Sequence, residues 1–217
     1  MCVSGGVVTH SVVGHIGITM GDVASEPFAW THEKTRVEFD GRELVINDER
    51  LPLDEIDRLA RMLERSTAQG SWNRLDCQEH FLAHGKETAV RFRGSAATED
   101  WGPWRPLWDQ LDALIRDEIQ PRLLGRTLGQ IVDNGSAEIG GGRANGRGRF
   151  TVTAEGFEAR TMFSKPVAWA SIVSMSGGDI EIITQGPDGK QRKRRLGLLA
   201  MGWDAWAFPF LWQYYRE

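Results

Sequence analysis

Apolar positions along the chain switch between two periods, and the switches mark its elements. Pro27-Phe28-Ala29-Trp30 opens a β-like region, and Thr35 to Ile46 alternates, with Val37 and Phe39 before Asp40-Gly41 and Leu44 and Ile46 after it. Alternation around an Asp-Gly pair predicts a β-hairpin. From Leu51 to Gln69 the spacing lengthens: Leu53, Ile56, Leu59, Ala60 and Leu63 fall three and four apart, beside Asp54, Glu55 and Asp57. That period, with acidic residues where a first helical turn favours them, predicts an amphipathic helix. Glu79 to Leu82 and Glu87 to Phe92 flank His84-Gly85-Lys86 as a second hairpin. Trp104, Leu107, Trp108, Leu111, Leu114, Ile115 and Ile119 then form a helical stripe, which Pro121 should end or kink.

A similar succession follows. Phe150 to Arg160 reads as a hairpin about Glu155-Gly156, Val167 to Met175 and Asp179 to Thr184 as strands, and Gly186-Pro187-Asp188-Gly189 as the turn into Lys190 to Leu199. Trp203 to Tyr215 closes as a short aromatic helix. A Gly-turned hairpin followed by a Trp-rich closing helix thus occurs twice, which predicts a tandem architecture. The two copies disagree at one place: Pro166 to Val173, which matches the stretch after Leu51, reads as a strand.

The fold class expected is α+β, a tandem repeat of a small bent antiparallel sheet closed by a C-terminal helix. In element order each unit resembles the pleckstrin-homology-like superfold, over residues 27–128 and about 136–217. The resemblance implies a binding scaffold rather than an enzyme and carries no site of its own. The expected division is an N-terminal strand or mobile segment at 1–26, a first unit at 27–128, a Gly/Arg-rich connection at 129–149 and a second unit at 150–217.

Composition changes this picture in two respects. The net charge of −4 conceals an asymmetry: residues 1–125 carry 14 Lys and Arg against 21 Asp and Glu, whereas residues 126–217 carry 12 against 9. The acidic half argues against nucleic acid as a partner of the whole chain, and the basic excess in the other half suits a local anionic contact. Cys2 and Cys77 are too few for a disulfide framework, which fits a reducing cytosol. No apolar run reaches the roughly 18 residues of a membrane span. Met1 to Met20 lacks Lys and Arg and is interrupted by Gly and His, unlike a secretory signal; it reads as a strand at Val12 to Thr19 or as sequence upstream of a start at Met20.

Three constellations could carry chemistry. Cys77, His80 and His84 are residue types that zinc accepts, and on a helix the two histidines would share a face, giving a metal-dependent enzyme or metal sensor. On a strand those histidines lie roughly 13 Å apart, too far for one ion. Lys190, Arg192, Lys193, Arg194 and Arg195 form a basic strand with which Arg147 and Arg149 could converge, a patch suited to an anionic or protein partner. Gly140 to Arg149 resembles Arg/Gly-rich RNA-binding segments, so single-stranded nucleic acid is a further reading of the basic half. Trp101, Trp104, Trp108, Trp203, Trp206, Phe208, Phe210, Trp212, Tyr214 and Tyr215 exceed what small helices must bury, and any exposed remainder could pair two copies. No nucleophile, base and orienting acid stand in a recognisable order, and no cofactor is expected. The residues therefore predict a non-catalytic cytosolic binding or scaffold protein.

Overall fold

The computed structural model describes residues 25–68, 71–95, 101–141, 148–159, 166–176, 179–185, 190–197 and 202–216. The expected strand at Val12 to Thr19 lies outside them. Strands β1 (Phe28–His32), β2 (Thr35–Phe39), β3 (Glu43–Ile46) and β4 (Glu49–Pro52) form an antiparallel sheet in sequential order. Its β2–β3 turn is where the Asp-Gly pair predicts it. Gly41 adopts a φ of +100°, and Asp40 Oδ1 accepts the backbone N–H groups of Arg42 (2.9 Å) and Glu43 (2.8 Å). Val37, Phe39, Leu44, Ile46 and Leu51 point inward.

The helix expected at Leu51 to Gln69 is absent. After a 3-10 turn at Leu53–Glu55 the chain runs as strand β5 (Ile56–Ala68), followed by β6 (Ser71–Ala83) and β7 (Lys86–Gly94) in a three-stranded antiparallel sheet, order β5-β6-β7. The helical spacing has a local cause. Ile56 pairs with Ala83 and Leu59 with Phe81, because a register shift between Ile56 and Arg58 inserts one extra residue. A bulge thus puts apolar residues three apart on one face of a strand. Asp54 and Glu55 occupy the 3-10 turn.

Gly102–Trp104 forms a 3-10 turn and leads into a long helical rod: α1 (Arg105–Leu114), a π-helical segment (Ile115–Ile119) and α2 (Gln120–Asn134). Pro121 does not end the helix. It sits at the start of α2 directly after the π segment, where the wider turn accommodates a residue lacking an N–H. Gly135, at φ +75°, caps the rod. Leu107, Leu111, Leu114, Ile115, Ile119 and Leu123 close the first core, whereas Leu124 and Ile131 belong to the second. One rod therefore serves both.

Strands β8 (Ala137–Gly140), β9 (Arg149–Val152), β10 (Gly156–Glu158) and β11 (Val167–Ala168) form a second four-stranded sheet, order β11-β10-β9-β8. The 129–149 stretch expected as a connection thus contains the end of α2 and β8. The expected strand from Val167 to Met175 is divided by a 3-10 turn at Trp169–Ser171 into β11 and β12 (Ile172–Ser176). β13 (Asp179–Gln185) and β14 (Gln191–Gly197) complete a three-stranded sheet, order β12-β13-β14. A 3-10 turn at Ala205–Ala207 and helix α3 (Phe208–Tyr215) follow. The second core centres on Phe150, Phe157, Trp169 and Phe208; the Trp169 indole donates to the Thr153 carbonyl at 3.0 Å. Both halves run in the order four-stranded sheet, 3-10 turn, three-stranded sheet, 3-10 turn, helix. The molecule is α+β, and its described strands form four small antiparallel sheets. Among the described residues no helix is long and apolar enough to cross a membrane.

Candidate functional site

The basic run becomes strand β14. Its register with β13 is one to one from Gln185↔Gln191 to Asp179↔Gly197, so successive side chains alternate between faces throughout. Gln191 and Lys193 therefore oppose Arg192, yet Lys190, Gln191, Arg192, Lys193 and Arg195 are all exposed. Lys193 Nζ lies 2.5 Å from Glu181 on β13, and that hydrogen bond holds the Glu181 carboxyl below its ordinary pKa. Among the described residues β14 pairs with a strand on one side only, which makes it a sheet edge. The side chain of Arg194 and the whole of Arg147 lie outside the described residues. Arg149 is on β9, in a different sheet, and is ion-paired with Glu138 of β8.

Strand β7 occupies the corresponding place in the first half and is built differently. Val90 and Phe92 are buried while Arg91 and Arg93 are exposed, so one face belongs to the core. Two of its cations stand beside acids: Lys86 lies 2.5 Å from Glu49 and Arg91 3.5 Å from Asp76. Edge strands carry charge to prevent unwanted pairing. β7 does so on its solvent face, whereas β14 is cationic on both.

Cys77, His80 and His84 do not assemble. All belong to β6 or its turn. Cys77 points into the first core and burial pushes its thiol pKa up; His80 points to the opposite face, with Nδ1 2.7 Å from Glu87 Oε1. His84 sits in the β6–β7 turn at φ +50° and hydrogen-bonds to Glu55 Oε2 at 2.7 Å, which raises its pKa. Among the described residues no three His, Cys, Asp or Glu side chains gather as metal ligands. Strand alternation is the reason: residues 77 and 80 are three apart and so lie on opposite faces.

A buried ionic cluster was not singled out by sequence reasoning. Glu79, fully enclosed on the core face of β6, is ion-paired with Arg61 of β5. Arg61 Nη2 also reaches Asp112 Oδ1 on α1 at 2.6 Å, and its guanidinium lies 4.8 Å over the Trp108 ring. Glu79 Oε2 finds no partner among the described residues. Burial opposes the charge on Arg61, but Glu79 and Asp112 outweigh it and hold the guanidinium protonated. Burial likewise opposes the charge on Glu79, and here it prevails over Arg61, raising the carboxyl to about 7. Burial is the largest influence on Glu79, so the enclosed carboxyl gives up its proton only near pH 7. The signal in the sequence was parity: Cys77, Glu79, Phe81 and Ala83 share the inward face.

The two halves meet at a second polar cluster. Asp204, in the left-handed conformation at φ +59°, accepts from Arg58 Nε at 2.6 Å and from the Leu59 N–H at 3.0 Å. Arg58 Nη2 also donates to the Gly140 carbonyl at 2.9 Å. Beside this seam lies a polar cleft of about 450 Å³, lined by Asp57, Arg126, Thr127, Glu138 and others. Arg126 is already paired with Asp57, and Arg58 with Asp204. Of the aromatic surplus, Trp101, Trp104, Trp203 and Phe208 are buried and Trp108, Trp206, Trp212 and Tyr215 half-buried: Trp101 stacks on Trp108 at 4.6 Å, and Trp203 fills the space beside Ala60. Phe210 and Tyr214 on α3 remain 46% and 40% exposed.

No family model matches the chain, and no curated protein and no solved structure matches it.

Proposed function

We propose that this is a non-catalytic binding protein, built from two pleckstrin-homology-like units, that engages an anionic partner through β14. The observation carrying this reading is a sheet edge whose described side chains are exposed on both faces and cationic at Arg192, Lys193 and Arg195, with exposed Lys190 directly before it. The element order shared by the two halves supports the tandem description. The basic half supports the sign of the partner, since a cationic surface raises the local concentration of anions and speeds their encounter. A cytosolic setting suits Cys77, a buried free thiol.

Retention on a heparin matrix tests the reading. The variant R192Q/K193Q/R195Q should elute at clearly lower salt than the native protein, whereas R91Q/R93Q on β7 should elute close to it. Equal loss in both variants would show that total charge, and not β14, governs retention, and would overturn the assignment.

A further inference from the structure

Resting on the reading of β14 as an anionic contact, we infer that its partner is an extended acidic peptide segment that adds to the sheet as a fourth strand beside β14. The argument is geometric. Arg192 occupies one face of the sheet and Lys193 and Arg195 the other, because the register with β13 has no irregularity. A phosphate cluster or a lipid surface approaches a sheet from one face and leaves the other face's cations out of reach. An in-plane neighbouring strand reaches both, since cross-strand side chains on either face stand about 4.5–5.5 Å apart. The edge also offers backbone groups: in an antiparallel ladder alternate N–H and C=O groups point away from the partner strand, and those of β14 have no strand to receive them among the described residues.

Charge selects among the strands that could add. A partner bearing acids on alternate residues would satisfy one face only, so the match is a continuous acidic run of about six residues, a common strand length. β7 lacks this property, because Val90 and Phe92 commit one of its faces to the core. The same reasoning explains why Glu181 on β13 stands opposite Arg195 in the register and beside Lys193 in space: the neighbouring strand already presents an acid to this row of cations.

Two labelled probes test the inference on the full chain at low salt: hexaglutamate, and hexaglutamate methylated at every peptide nitrogen, which keeps the carboxylates and removes the backbone donors. Fluorescence anisotropy should give at least about tenfold tighter binding for the unmethylated peptide, with slowed amide exchange at residues 191–197 in its complex. Equal binding of both peptides, each weakened in R192Q/K193Q/R195Q, would overturn strand addition while leaving the anionic contact standing. Binding of neither peptide to the native protein would overturn both.

Discussion

Glu79 shows how much one enclosed side chain decides. Arg61 from β5 bridges it to Asp112 of α1, which Arg116 also reaches at 3.4 Å, and the Cys77 thiol lies on the same face of its own strand. A carboxyl whose pKa in the fold lies near 7, above its ordinary 4.5, favours the fold as the neutral acid. Its stabilising contribution is complete below about pH 4.5 and is lost as pH rises through about 7. Glu79→Gln, which mimics the neutral acid, should flatten this part of the pH dependence and stabilise the protein near pH 8 by on the order of 2 kcal/mol. Urea unfolding of both proteins at about pH 5 and pH 8 measures it; parallel pH profiles would contradict the assignment. Asp204 is a second buried acid whose pKa burial raises, but with both oxygens engaged. Asp204→Ala strands Arg58 and the Leu59 N–H and should cost roughly 2–4 kcal/mol, read from the same unfolding curves. Neither residue announced its partners in the sequence, because Arg61 and Glu79 are 18 residues apart and Leu59 and Asp204 are 145 apart.

At the scale of elements, what was legible was what short-range chemistry determines. The Asp40-Gly41 and Glu155-Gly156 turns, the β6–β7 hairpin and the stripe from Trp104 to Ile119 all stand where periodicity and turn residues put them. β5 was misread because a bulge gives a strand the spacing of a helix, and the disagreement with Pro166 to Val173 was the available warning. The π segment before Pro121 has no comparable sequence signature. Two glycines separate space from conformation. A Cβ on Gly156 would stand 2.1 Å from the Val167 carbonyl oxygen, so Gly156→Ala must push β10 from β11 and should destabilise by about 1–3 kcal/mol. Gly125, inside α2, meets nothing within 4 Å, and Gly125→Ala should stabilise by about 0.5–1 kcal/mol through helix propensity. Thermal melts of the pair check both signs.

On the scale of the whole molecule, the halves share a helix, not only a surface. α2 contributes Leu123 to one core and Leu124 and Ile131 to the other, while Arg58, Asp204 and Gly140 bind the sheets across the seam. Such an arrangement predicts one cooperative unfolding transition; two transitions, resolved by calorimetry, would contradict it. Charge is divided where structure is not: the acidic residues predominate in the first half, and in the second half Lys190, Arg192, Lys193 and Arg195 stand exposed along one edge. That the basic run is a strand was legible from its turn and alternation, and its run of charge is the kind that edge strands carry. The most direct test of the central claim is the dissociation constant of hexaglutamate for the native protein and for R192Q/K193Q/R195Q, measured by titration calorimetry on samples of matched melting temperature. The account predicts at least about a tenfold weakening in the variant. An unchanged constant would contradict it.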